Sequence, residues 1–203
     1  MNDTFDNFVQ LPPSLSVAAS RVVKYAGTAI KVETNEGTNQ ETHRFDLQSF
    51  MNSVNNRQTD DLILETFKEH TISHRETTLS TIVESIVKFM ADAFYISPYE
   101  KATATLQRTI EETFANLEEN SSSEFLDFNK SFDGQVSSWE YRLHFAFPNP
   151  EMPNCFCSLI TTIKLEANIS DKSVWWGLVG SSSRVFSATI SGVKLQVEEG
   201  FRN

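Results

Sequence analysis

The sequence predicts a single α+β domain in which helices cover a mostly antiparallel sheet of long strands. Apolar residues recur every three or four positions in the first half of the chain and every two positions in the second half. Short turns join the strand-like segments, which favours antiparallel pairing. We therefore expect one domain over residues 1–203, with helices mainly within 40–118, long strands mainly within 120–200 and a further strand near 20–34.

Two consecutive amphipathic helices are predicted in the middle of the chain. Residues 79–95 place apolar side chains on one face and a polar stripe on the opposite face. The sequence "SPYE", residues 97–100, fits a capping box that opens the second helix. An earlier helix is expected over about 44–55, whereas residues 57–75 match no pattern well enough to be assigned.

Three long strands are predicted in the second half, over residues 137–147, 155–169 and 184–198. In the first of them, odd-numbered side chains are apolar or aromatic and even-numbered ones are mostly polar, which is typical of a half-buried strand. In the third, the apolar positions change parity near Ser191-Gly192. A β-bulge there is the simplest interpretation.

The adjacent tryptophans Trp175 and Trp176 stand in the sequence "DKSVWWGLVGSSS". If this segment is a strand, neighbouring side chains point to opposite faces, so that one indole enters the core and the other faces outward. We expect Trp176 to be the outward ring. An outward Trp favours a membrane interface, and the competing interpretation is two partly buried core residues.

Charge and composition exclude several classes of function. The formal net charge is −10, and residues 1–120 carry 18 acidic against 10 basic residues. Since no Lys/Arg cluster is present, we expect no nucleic-acid partner. No apolar run is long enough for a membrane-spanning helix, and the first residues lack the features of a secretory signal, so we expect a protein stored in water-soluble form.

No catalytic, cofactor or metal motif is present, so we expect no enzyme and no cofactor. His70 and His74 are four residues apart, but no neighbouring residue completes a metal motif. Cys155 and Cys157 project from the same face of a strand, and buried apolar thiols are the favoured interpretation.

Several long segments carry a resemblance to a known family: "NLEENSSSEFLDFNKS", "SSWEYRLHFAFP", "SLITTIKLEANISDKSVWWGL" and "VEEGF". They are similar to segments of volvatoxin-like members of the Cyt family of delta-endotoxin-like pore-forming proteins. The similarity is strongest from Asn116 to Phe201 and weak between about 34 and 78. It also includes "VKFMADAF" in the helix predicted over residues 79–95. It implies a three-layer domain in which helical hairpins flank the sheet, and membrane permeabilisation without catalytic residues.

The expected function is therefore that of a pore-forming cytolysin, which binds a target-cell membrane from outside, changes conformation and oligomerises there. The long strands exceed the roughly 9–11 residues that a strand needs to cross a bilayer, although a soluble sheet with one covered face alternates in the same way. Net acidity favours a neutral lipid headgroup. The candidate membrane-contact residues are Met90, Phe94, Trp139, Tyr141, Phe145, Phe147, Trp175 and Trp176.

Two non-lytic alternatives stay open at this point. One is a lipid- or fatty-acid-binding module with Cys155 or Cys157 as its acylation point. The other is a sugar-binding module that uses Trp175 or Trp176 as a stacking surface.

Overall fold

The computed structural model describes residues 6–35, 40–131, 133–178 and 183–202. The strands are β1 (Asp6–Phe8), β2 (Ile30–Asn35), β3 (Gln40–Phe45), β4 (Leu62–Thr77), β5 (Leu126–Lys130), β6 (Ser137–Pro148), β7 (Cys155–Ala167) and β8 (Arg184–Glu198). The helices are α1 (Pro13–Gly27), α2 (Leu47–Asn55), α3 (Leu79–Ala93), α4 (Glu100–Ala115), α5 (Leu117–Asn120) and α6 (Lys172–Trp176).

The elements form three layers around one sheet. Its strand order is β1-β6-β7-β8-β4, with β5 also paired to β6, and every pair except the parallel β1-β6 is antiparallel. One face carries helices α3 to α6, and the other carries α1, α2 and the β2-β3 hairpin. The predicted α+β class, with helical elements on both faces of a mostly antiparallel sheet, is confirmed.

Helix α1 corrects the prediction of a strand near 20–34. Residues 13–27 are helical, and only 30–35 form a strand in this region. Pro13 stands in the first turn, where a missing backbone N–H costs nothing. The buried side chains lie at helical spacing: Leu15, Ala18, Ala19, Val22 and Ala26. Helical structure therefore begins well before residue 40.

Strand β4, Leu62–Thr77, occupies most of the segment that the sequence left unassigned. It runs for 16 residues at the edge of the sheet, and most of its middle positions are exposed, so the sequence shows no clean alternation. Its pairing with β8 is interrupted by two irregularities, between Leu64 and Thr66 and between His74 and Thr77. His70 and His74 lie on this strand, and the described residues contain no cluster that could hold a metal ion.

The α3-α4 hairpin is confirmed, but the capping box is wrong. The Ser97 hydroxyl donates to the Asp92 carboxylate at 2.8 Å, and α4 begins only at Glu100, without a side-chain cap. Helix α3 is capped instead by Thr78, whose hydroxyl oxygen accepts from the backbone N–H of Thr81. The earlier helix predicted over about 44–55 is present as α2, which begins at residue 47.

Strand β8 crosses Gly192 without a register shift, so the predicted β-bulge is wrong. Both faces of β8 are covered: the apolar residues before Gly192 pack under α3 and α4, and those after it pack under α1 and α2. The change of parity therefore reflects a change of covering layer. A Cβ atom at Gly192 would lie 3.0 Å from Cζ of Phe94 and 2.7 Å from Cγ2 of Thr161, so glycine is what allows Phe94 to approach the sheet.

The even-numbered face of β6 is also buried, which corrects the prediction of a half-buried strand. Arg142 donates to the Asp127 carboxylate and to the His43 carbonyl, both at 2.6 Å. Nε2 of His144 lies 2.8 Å from the Ser158 hydroxyl. These polar side chains lie in the interior beneath the α1 layer instead of facing water.

The burial of His144 predicts a loss of stability in mild acid. Burial lowers the pKa of this imidazole to about 3. In the unfolded chain it titrates near 6.5, so below that pH the unfolded state takes up a proton that the folded state excludes. Stability is therefore complete above about pH 6.5 and is lost as the pH falls toward 3. Between pH 7 and 5 we expect a loss of about 2 kcal/mol in the free energy of unfolding.

Urea unfolding of the wild type and of His144→Gln at the two pH values measures this loss. The glutamine keeps a neutral hydrogen-bonding group near Ser158 but cannot take up the proton, so the variant should lose much less stability between pH 7 and 5. Equal losses in the two proteins would assign the acid sensitivity to other groups.

Candidate membrane-contact site

The segment that holds the two tryptophans is helix α6, not the strand that was predicted. The carboxylate of Asp171 caps this helix by accepting from the backbone N–H of Ser173 at 2.9 Å. Hydrogen bonds from the Ser173 backbone and side chain hold the pKa of the Asp171 carboxyl below its usual value. Residues 179–182 of the predicted loop lie outside the described residues.

Trp175 is the inward indole and ties α6 to the sheet. It is 1% exposed, and its Nε1 donates to the Ser137 hydroxyl at 2.9 Å. That hydroxyl in turn donates to the carbonyl of Ile169 at 2.6 Å, which joins the helix, the first residue of β6 and the segment after β7. A buried indole with its N–H satisfied is a structural anchor.

Trp176 lies at the rim of the core. Its side chain is half-buried and packs against Trp139, with 5.7 Å between the ring centroids. It is therefore the less buried of the pair, as the sequence predicts, but it does not stand free in solvent.

A cage of aromatic rings surrounds the ammonium of Lys172. Its Nζ lies 5.6 Å from the ring centroid of Phe128, 5.1 Å from that of Trp139 and 5.7 Å from that of Trp176. Phe128 and Trp139 are directly opposite each other on β5 and β6, and Lys172 lies one helical turn before Trp176. We call these three rings and this ammonium the Lys172 cage.

Two features of the Lys172 cage distinguish it from an ordinary surface contact. Nε1 of Trp139 is buried without a hydrogen-bond partner among the described residues. Within the same ranges Lys172 takes part in none of the observed ion pairs, so aromatic faces are the groups that hold its charge. Sequence reasoning missed this cage because Lys172 and Trp176 are neighbours only on a helix. On a strand they would share a face but lie about 13 Å apart.

The other candidate membrane-contact residues lie together in the core between the sheet and the α3-α4 hairpin. Each is 0% exposed: Met90, Phe94, Trp139, Tyr141, Phe145 and Phe147. Trp175 belongs to the same cluster. The structure thus brings the predicted residues together, but inside the protein, where they pack between the sheet and its helical cover.

Both cysteines are buried and free, as predicted. Burial raises the pKa of the Cys157 thiol to about 11 and raises that of Cys155 in the same direction. Since the thiolate is the reactive form, this environment disfavours acylation of either residue in the folded protein.

Among the helices that the structure describes, none combines the length and the apolar character that a membrane span requires.

Comparison with known proteins places this geometry in a family. The family described as Bacillus thuringiensis toxin matches residues 16–195. The crystal structure of the activated Cyt2Ba monomer from Bacillus thuringiensis subsp. israelensis is similar, with a TM-score of 0.75 and 12% identity over 96% of this chain and 98% of that chain. A delta-endotoxin structure has a TM-score of 0.73 and 13% identity over 96% of this chain and 82% of that chain.

At these identities the structural comparisons show the fold. No curated protein matches the chain, so the volvatoxin-like part of the resemblance stays a prediction. Because the family match covers most of the chain and the fold agrees with it, the protein belongs to the Bacillus thuringiensis toxin family of Cyt delta-endotoxins.

Proposed function

We propose that this protein is a pore-forming toxin that acts from outside on target-cell membranes of neutral headgroup, opens its α3-α4 layer there, oligomerises and permeabilises the bilayer. One observation carries the proposal. In a chain of a toxin family, the aromatic inner face of adjacent long strands is covered by an amphipathic helical hairpin.

The hairpin is built so that lipid can replace it. Helix α3 buries one apolar face against the sheet and exposes its polar face to water. It follows β4 through the single residue Thr78, and α4 returns to β5 through the short helix α5. When the hairpin separates from the sheet, its own apolar face and the apolar face of the sheet are both uncovered. At a bilayer, lipid can cover both faces, whereas in solution both would be exposed to water. Separation is therefore possible at a membrane and unfavourable in solution.

Charge and strand pairing support the choice of membrane and the self-association. A net charge of −10 repels anionic headgroups, so a neutral surface favours approach. In the described part of the chain β4 pairs with β8 along one edge only. Its other edge offers backbone groups to which a second copy can add a strand.

Purified protein should therefore release an entrapped dye from neutral-lipid vesicles at micromolar concentration or below, and more slowly from vesicles enriched in anionic lipid. Release is followed by fluorescence dequenching, with vesicle sedimentation in parallel to separate binding from leakage. Vesicles that stay intact across a broad panel of lipids would contradict the proposed function. No observation on the structure favours the fatty-acid-binding or sugar-binding alternatives.

A further inference from the structure

We propose that the Lys172 cage binds the trimethylammonium group of a choline headgroup, and that Lys172 occupies the site in the absence of a membrane. The inference rests on the proposed function only in taking a lipid bilayer as the source of this group. It is carried by the arrangement of Phe128, Trp139 and Trp176 around one ammonium without an ion pair in the described residues.

The size of the cage fits a methylated ammonium. Its three Nζ-to-centroid distances lie between 5.1 and 5.7 Å. A methyl carbon in contact with a ring stands roughly 3.5–4.0 Å from it, and the C–N bond adds about 1.5 Å, which places a trimethylammonium nitrogen about 5 Å from each ring. A bare ammonium fills this space incompletely, whereas three methyl groups contact all three faces.

Hydration also favours the exchange. The Lys172 ammonium has three N–H donors and is strongly hydrated in water, but aromatic faces satisfy those donors poorly. A trimethylammonium group has no donor to leave unsatisfied, and aromatic cages are a recurrent solution for binding it. The three aromatic faces therefore suit a choline group better than the Lys172 ammonium, which is half-buried and keeps its hydration when it moves into water.

The position of the cage suits a headgroup. Phe128, Lys172 and Trp176 are all half-buried, so the site lies at the protein surface near one end of β6. Trp139 is 0% exposed and forms the inner wall of the site, whereas Phe128 and Trp176 form its more exposed walls.

A soluble probe tests the site without a membrane. Tetramethylammonium chloride is titrated into the intact protein against sodium chloride of equal ionic strength, and the indole fluorescence and the indole N–H NMR signals are followed. The signals of Trp139 and Trp176 should shift saturably, and that of Trp175, which donates to Ser137, should not. Lys172→Gln removes the competing cation, so its half-saturation concentration should fall by about tenfold.

The matched control is Lys101→Gln, which makes the same charge change at an exposed lysine on α4, outside the cage, and should leave the half-saturation concentration at the wild-type value. Trp176→Leu should weaken the response in either background. The absence of a saturable shift in both the wild type and Lys172→Gln would overturn the proposal, as would an equal gain in both lysine variants.

A second arm tests the lipid as the source. Sedimentation with phosphatidylcholine vesicles should exceed that with phosphatidylethanolamine vesicles, and Trp176→Leu should remove the difference. Equal binding to the two lipids would overturn the assignment to a choline headgroup. Saturable tetramethylammonium binding and a choline preference without any dye release would instead contradict the proposed function and leave this site standing.

Discussion

Trp175→Ala is expected to lower the free energy of unfolding by about 3–5 kcal/mol, the range typical of removing a fully buried large aromatic side chain. The indole is 1% exposed and packs 6.3 Å from the ring centroid of Phe186. Its loss leaves a cavity at the end of the sheet and removes the hydrogen bond that ties α6 to Ser137. Urea unfolding measures the change.

Trp176→Ala provides the contrast. This ring is half-buried at the rim, so its removal should cost less stability than that of Trp175. Vesicle binding should weaken more in Trp176→Ala than in Trp175→Ala when both are measured at a temperature where each is folded. Equal losses of stability in both variants, with vesicle binding unchanged, would contradict a membrane contact by Trp176 and would show that both tryptophans serve only the core.

The regular parts of this fold could be predicted from sequence because each carries a clean period. In β6, β7 and β8 apolar residues alternate, and in α3 and α4 they recur at helical spacing. The predicted bounds of β8, 184–198, agree with the structure. In these elements local preference and burial favour the same conformation, so the pattern is sufficient.

Helix α1 and strand β4 were not predicted, because the local sequence pattern of each differs from the one that its structure usually shows. The sequence "RVVKY" in α1 is rich in β-branched and aromatic residues, which favours a strand, but Ala18, Ala19 and Val22 all lie on one buried helical face. Strand β4 lies at an edge and has mostly exposed side chains, so burial imposes no alternation on it. In both cases tertiary packing decides the conformation.

The candidate site could be predicted only in part, since a pattern identifies an apolar face but not what covers it. The odd-numbered residues of β6 were correctly assigned to a common apolar face, yet a helix and a lipid would impose the same alternation. The Lys172 cage has no sequence signature, because Phe128, Trp139 and Trp176 converge only through the β5-β6 pairing and the one turn of α6.

The second large effect is expected from locking the α3-α4 layer onto the sheet. The rings of Phe89 on α3 and His70 on β4 are stacked, with 4.9 Å between their centroids, so cysteines at these two positions face each other across the layers. Cys155 and Cys157 are first replaced by alanine, since both are buried. A short bis-maleimide that contains a reducible bond then joins Phe89→Cys to His70→Cys.

The matched control joins two strands of the sheet and leaves the layers free to part. Thr71 on β4 and Thr189 on β8 are cross-strand partners whose hydroxyl oxygens lie 3.1 Å apart. Thr71→Cys and Thr189→Cys, joined in the same way, should permit as much dye release as the unjoined protein.

Dye release by the locked protein, before and after reduction of the crosslink, is the most direct test of the central claim that α3 and α4 must leave the sheet. We expect the locked protein to sediment with neutral-lipid vesicles but to release almost no dye, and we expect reduction to restore release to the level of the unjoined variant. Full release from protein whose crosslink is intact would contradict this account.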